Sequence, residues 1–228
     1  PSVVERSLDA IVGYSAAHGM VPNIMKNIIL QHFDGELREL DKLSMANIQE
    51  YAKMVGAEYR LITGKPFNKA LTAPCQKVYM LDCEYDEYDD VLMLDIDMFA
   101  PKNMTINVFK EPGVGLYNPI QQRLHVRLVQ LYSFLGSMSA PYWGGAIYKM
   151  SKKLRKSLRD ADSLNNAWML KFNQPYHFED EGIMHVLAHR AGINPRGTYL
   201  DPKWCQCSFL PNPQDAGFIH VRTKIKPE

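Results

Sequence analysis

The chain has 228 residues, 46% hydrophobic and 22% charged, which is ordinary for a folded globular protein and long enough for one large α/β domain or two small ones. A formal net charge of +1 excludes a global field that would select nucleic acid or an anionic membrane. No apolar run approaches the ~20 residues of a membrane-spanning helix, and no basic segment precedes an apolar core at the N-terminus, so a cytoplasmic protein without a membrane span is expected. Four cysteines, Cys75, Cys83, Cys205 and Cys207, form neither a disulfide framework nor a zinc pattern, because Cys205-Gln206-Cys207 has a single intervening residue.

In chain order, residues 8–16 read as a first strand running into the small and polar Gly13, Tyr14, Ser15 and Ala16, where a nucleotide can approach the backbone and Tyr14 can stack on a base. Residues 24–33 are a second apolar stretch, strand or helix. Helical spacing of Met45, Ile48, Tyr51, Ala52 and Val55 predicts a helix over 44–56 with Gly56 as its C-cap. A strand over 59–63 and a Gly64-Lys65-Pro66 turn come next. A helix over 76–88 presents Val78, Leu81, Tyr85 and Tyr88 to one face. Short strands are expected at 107–109 and 113–117, then a leucine-striped core helix over 120–135.

Residues 141–150 read as a strand entered through Gly144 and Gly145, which remove side chains where the backbone must come close to something. The cluster Lys149, Lys152, Lys153, Arg155, Lys156 and Arg159 is spaced as a solvated helix face. Glu179-Asp180-Glu181-Gly182 opens a helix that ends at Gly192, and three acids in a row exceed what N-capping needs. Residues 194–213 read as irregular connection. A last strand ends in His220 and is followed by Arg222, Lys224 and Lys226.

The central feature is Val91 to Leu94, a short apolar run suited to a strand buried on both faces, which ends in Asp95-Ile96-Asp97. Two carboxylates at the end of a buried strand need a cation or solvent, and the carboxyl ends of strands are where open α/β sheets hold their ligands. Asp95 and Asp97 are therefore candidate ligands of a divalent metal. The alternation of strands and helices predicts a single mostly parallel α/β domain over 1–228, with no linker or repeat to divide it.

Glu87-Tyr88-Asp89-Asp90-Val91-Leu92-Met93-Leu94-Asp95-Ile96-Asp97, with Trp143-Gly144-Gly145-Ala146, Glu179-Asp180-Glu181-Gly182 and the tail His220-x-x-Thr223-x-x-Lys226-Pro227, resembles the GT-A-fold, metal-dependent glycosyltransferases. The tail is similar to the H-x-x-G-x-x-K-P pattern of the glycogenin-like retaining branch, except that Thr223 stands in place of the glycine. A compact chain without a stem also resembles the glycosyltransferases that chloroviruses encode for capsid glycans. The resemblance implies a Rossmann-like nucleotide-binding half over 1–100 and an acceptor-binding half over 101–228. It implies Mn²⁺ or Mg²⁺ on Asp95, Asp97 and His220, and a UDP-sugar donor contacted by Tyr14, Ser15, Lys77, Asp95, Gly144, Gly145, Lys224 and Lys226. The acceptor is a glycan or glycoprotein. Asp180 and Glu181 act as general base if the sugar inverts, or position sugar and acceptor if it is retained, the outcome towards which the tail tilts.

Two other classes compete with this reading. A nucleotidyltransferase or phosphohydrolase could use the same carboxylates, but residues 13–20 carry no Lys or Arg. A non-catalytic carbohydrate-binding module would rest on exposed tryptophans at Trp143, Trp168 and Trp204.

Overall fold

The computed structural model describes residues 25–117, 143–161, 179–209 and 215–221. The expected strand over 8–16 and helix over 120–135 lie outside these residues.

Three strands set the frame. Asn27–Phe33 (β1) pairs in parallel with Glu58–Thr63 (β2) on one side and Asp90–Leu94 (β3) on the other. β1 and β3 are buried at almost every position because both of their faces are covered, as in a parallel sheet packed on two sides. Alternate residues divide between two cores. Ile28, Leu30, Val91 and Met93 face one, and Ile29, Leu92 and Leu94 the other. Gly144–Ser151 (β6) joins β3 in antiparallel, followed by Gly115–Leu116 (β5) and Tyr199–Leu200 (β7), so the described sheet has the order β2-β1-β3-β6-β5-β7. Only β6 runs against the others, so the sheet is mostly parallel as expected.

Helix α1 (Glu39–Val55) covers one face through Ile48, Tyr51 and Ala52. It starts five residues earlier than its apolar period implies. Its first turn is polar, and Asp41 is buried there, accepting from the Arg38 backbone N–H at 2.9 Å and from the Arg38 guanidinium. Gly56 ends the helix at φ 69°, in the left-handed region. Helices α2 (Lys152–Asp160) and α3 (Glu179–Arg190) cover the opposite face with Leu158, Ile183, Met184 and Leu187.

Several expectations change. Residues 76–88 form two 3₁₀ segments, Pro74–Leu81 and Cys83–Tyr85, because Asp82 takes an extended conformation and its carboxylate caps the Glu84 N–H, restarting the chain. The strand expected at 107–109 is a 3₁₀ turn, Val108–Lys110, in which the Asn107 side chain accepts from the Phe109 N–H. The strand at 113–117 shrinks to β5. The basic cluster is not one solvated face. Arg155 is fully buried and donates to the carbonyls of Met150, Tyr85 and Tyr88, and the buried Lys149 donates to those of Val108 and Glu111. Both cations tie loop carbonyls to the core, which no helical wheel reveals. The 194–213 region contributes β7, a 3₁₀ turn at Pro202–Cys205 and Gln206–Cys207 (β8). Trp143 and Trp204 are both buried, which removes two of the three tryptophans that a carbohydrate-binding module would present; Trp168 lies outside the described residues. Among the described residues no helix is long and apolar enough to cross a membrane.

Candidate active site

The parallel strands β1 and β3 end at the same edge, and the antiparallel β6 begins there. Asp95 is the first residue beyond β3. Its backbone is held from two sides, since its N–H donates to the Ala146 carbonyl at 3.0 Å and its carbonyl accepts from Gln31 Nε2 at 3.1 Å. Gln31 is fully buried in β1, bonds Ser44 of α1 and accepts from the Tyr59 hydroxyl. Ser44 in turn donates to the Met98 carbonyl at 2.6 Å. This satisfied polar network underlies the Asp95–Met98 turn and holds its shape.

A second, smaller sheet supplies the third candidate ligand. Met98–Phe99 (β4) pairs antiparallel with Ile219–His220 (β9), and β9 pairs in parallel with β8. The Val221 N–H also donates to the Asp97 carbonyl at 3.0 Å. Upstream, Gly217 lets the Trp204 ring lie where a Cβ would be, 2.5 Å from its nearest carbon, and this seats the chain as it enters β9. His220 Nε2 thereby comes 3.0 Å from Asp97 Oδ1 and 3.7 Å from Asp95 Oδ2. One potential ligand atom from each of the three residues lies within 4.8 Å of the others, the one such trio among the described residues. Ligands on opposite sides of an ion at ~2.1 Å stand ~4.2 Å apart, so the trio has the dimensions of a divalent site. Two carboxylates and an imidazole suit Mn²⁺, with Mg²⁺ a harder alternative.

Beside the trio lies a second carboxylate group of a different kind. Lys77, on the Pro74–Leu81 turn, is buried and directs its ammonium to Asp95 Oδ1 at 2.7 Å, Asp180 Oδ2 at 2.9 Å and the Gly145 carbonyl at 2.7 Å. Burial alone would lower its pKa, but Asp180 and Asp95 outweigh that and raise it, so it is a cation at any working pH. Lys77 is the pin between the metal trio and the acids at the start of α3. Asp180 is buried and accepts from the Tyr148 hydroxyl at 3.0 Å. Burial raises its pKa against the opposing pull of Lys77. Glu181 is partly buried, and Oε1 accepts from the Gly145 N–H at 2.6 Å. Burial, then the Asp180 charge, push its pKa up to about 8.

Gly145 shows what the paired glycines make room for on its own side. A Cβ there would stand 2.6 Å from Asp180 Oδ2 and 2.9 Å from Glu181 Cγ, so what approaches its backbone is the acid pair. The structure thus brings Lys77, Asp95, Asp97, Gly145, Asp180, Glu181 and His220 to one edge, with Gly144 next to them as the first residue of β6. Tyr14, Ser15, Lys224 and Lys226 lie outside the described residues. Tyr148 and Gln31 were missed. Gln31 did carry a signal, as a polar residue inside the apolar run Asn27–Phe33. Tyr148 carried none, being one of three aromatics in the expected strand 141–150. Arg38 was also missed; beside its pairing with Asp41 it feels the Asp97 charge, both of which raise its pKa.

No protein-family model and no curated protein matches the chain. Solved structures do. A glycosyltransferase involved in the glycosylation of the major capsid of PBCV-1 aligns with a TM-score of 0.55 at 13% identity, covering 87% of this chain and 94% of the other. The galactosyltransferase LgtC, in complex with donor and acceptor sugar analogues, aligns with a TM-score of 0.54 at 10% identity, covering 86% and 87%. The fold is that of the GT-A glycosyltransferases. At these identities the similarity concerns the GT-A fold, and the chemistry has to be argued from the residues gathered at its strand edge.

Proposed function

We propose that the chain is a glycosyltransferase that moves a sugar from a nucleotide-sugar donor, with UDP as the expected nucleotide, to a glycan or glycoprotein acceptor. The observation that carries this reading is the convergence of Asp95, Asp97 and His220 at the carboxyl edge of β3 in a GT-A fold. In this reading the three side chains hold Mn²⁺ or Mg²⁺, and the ion supplies Lewis-acid neutralisation of the departing diphosphate. Lys224 and Lys226, with Arg38 at the rim, add cationic contacts to the phosphates. Tyr14 and Ser15 contribute to the nucleotide site, and Gly144 leaves room for the donor beside β6.

The acid pair positions the donor sugar and acceptor. Asp180 is engaged by Lys77 and Tyr148, and Glu181 keeps its proton to about pH 8, so neither is a ready base at neutral pH. That favours retention, with the leaving phosphate accepting the acceptor's proton. Both halves of the chain contribute to this site, since Lys77, Asp95 and Asp97 lie before residue 100 while Asp180, Glu181 and His220 lie after it.

The test is transfer from UDP-, GDP- and CMP-sugars to a glycan array with Mn²⁺, and again with chelator. Product with one donor only when metal is present is the expected result. Full transfer in chelator by an Asp97→Ala variant would sink the metal reading, and absence of transfer with any nucleotide sugar, together with phosphate release from a nucleotide, would replace transfer by hydrolysis.

A further inference from the structure

His220 has two ring nitrogens, and the metal reading uses only Nε2. On the other side of the ring, Cys205 Sγ lies 3.8 Å from Nδ1, within the reach of a sulfur hydrogen bond. This contact is built into the fold. Cys205 closes the Pro202–Cys205 turn directly before β8, β8 pairs in register with β9, and the buried Trp204 beside it packs against Gly217 and Phe218. Cys205 itself packs against the apolar core beneath α1. The same small sheet that carries His220 to Asp97 therefore also carries a thiol to the back of its ring.

We propose that Cys205 is a positioning residue for the metal centre, setting the tautomer in which His220 meets the ion. The proposal rests on the metal reading of Asp95, Asp97 and His220. A neutral imidazole carries one proton. Without metal, Nε2 stands 3.0 Å from the Asp97 carboxylate, so Nε2 holds the proton and donates it there, and Nδ1 accepts from the Cys205 S–H. For Nε2 to give its lone pair to an ion, the proton must instead sit on Nδ1, and there it needs an acceptor. The thiol serves both states by rotating about its Cβ–Sγ bond, presenting S–H in the first and a sulfur lone pair in the second. One proton leaves Nε2 for solvent and one arrives at Nδ1, so the charge of the imidazole is unchanged and the thiol keeps its own proton throughout. Metal-ligating histidines ordinarily donate their second N–H to a carboxylate or carbonyl, which holds one tautomer permanently. A thiol is weaker in either role and accommodates both, which fits a site that gains and loses its ion.

The experiment uses the full chain and two readouts that do not depend on turnover. Mn²⁺ affinity is measured by electron paramagnetic resonance of the free ion for wild type, Cys205→Ala, Cys205→Ser and His220→Ala. The ring nitrogens of His220 are followed by ¹⁵N NMR in metal-free and Mg²⁺-loaded wild type. The expected result is a ~10-fold weaker Mn²⁺ affinity for Cys205→Ala, recovery of most of that loss by Cys205→Ser, whose hydroxyl also donates and accepts, and a proton that moves from Nε2 to Nδ1 on loading. Wild-type affinity in Cys205→Ala, equal losses in the Ala and Ser variants, or a proton that already sits on Nδ1 before loading would each overturn the proposal while leaving the metal site standing. Equal Mn²⁺ binding by wild type and His220→Ala would instead overturn the metal reading on which it rests. Should Cys205→Ala fail to fold, the wild-type NMR result decides alone.

Discussion

Two pairs of carboxylates lie within one lysine's reach of each other, and they live in opposite surroundings. Asp95 and Asp97 keep about a quarter of their side-chain surface in solvent, at 27% and 26%, whereas that of Asp180 is 6% exposed and held by Lys77 and Tyr148. The open pair faces an imidazole and shares only Asp95 with the buried Lys77; the sealed pair faces that cation and a backbone N–H. The open pair can take up an ion because water can leave and ligands can move. The sealed pair is held in place and suits orientation of a bound group rather than coordination. Residue type alone does not separate these roles. Burial and the identity of the neighbours do.

Removing Asp97 should break the comparison most severely. Asp97→Asn is expected to lower metal-dependent transfer at least ~10²-fold and to abolish Mn²⁺ binding, while leaving the melting temperature close to wild type, because the side chain is only half-buried and faces the candidate ligand site. Turnover and metal titration check the first part and calorimetry the second. Asp95→Asn should match it in activity yet also cost stability, since Asp95 is one of the partners of Lys77.

Lys77→Met attacks the sealed side. It leaves the Asp180 carboxylate buried without its cation, for a cost of ~3–5 kcal/mol in urea unfolding. Adding Asp180→Asn should recover much of that loss, and a double-mutant cycle showing simple additivity would mean that the pin is not what holds the acids. Gly145→Ala is a gentler probe of the same pocket. Its methyl would stand 2.6 Å from Asp180 Oδ2, so a loss of ~1–3 kcal/mol is expected, together with weaker donor binding and unchanged Mn²⁺ affinity.

The remaining effect is on the pH dependence of stability. A Glu carboxyl titrates near 4.5 when unfolded, and burial pushes Glu181 up to about 8 in the folded chain. The folded state holds this proton more tightly, so the contribution is full below about pH 4.5 and is lost as the pH rises towards 8. Asp180, raised by the same burial, has the same sign. Urea midpoints of the wild type should fall across this window, and Glu181→Gln should flatten the fall. An unchanged slope would show that Glu181 does not carry the proton.

The apolar run before Asp95, the helical period over α1 and the glycine at its end were legible because each is a local pattern set by backbone geometry within about a dozen residues. The same holds for β6 beginning at paired glycines and for the acids opening α3. Boundaries drifted where a polar side chain, not an apolar period, decided them, as with Asp41 starting α1 and Asp82 interrupting the 76–88 segment. The metal trio was half visible. Asp-x-Asp at a strand end could be read directly, and His220 at the end of the last strand was already a candidate ligand, but only the pairing of β4 with β9 accounts for bringing it to the aspartates.

What the sequence by itself determined is the strands β2, β3 and β6, the helices α1 and α3, and the placing of acids after β3 and at the start of α3. Tertiary structure alone decided that Lys77 would join Asp95 to Asp180, that Gly145 would make room for an acid pair, that Arg155 would be buried, and that a cysteine would stand behind the ring of His220. Lys77 and the Gly145 carbonyl it reaches are 68 positions apart. Contacts across such separations follow from how two cores pack on one sheet, and no periodicity in the chain records them.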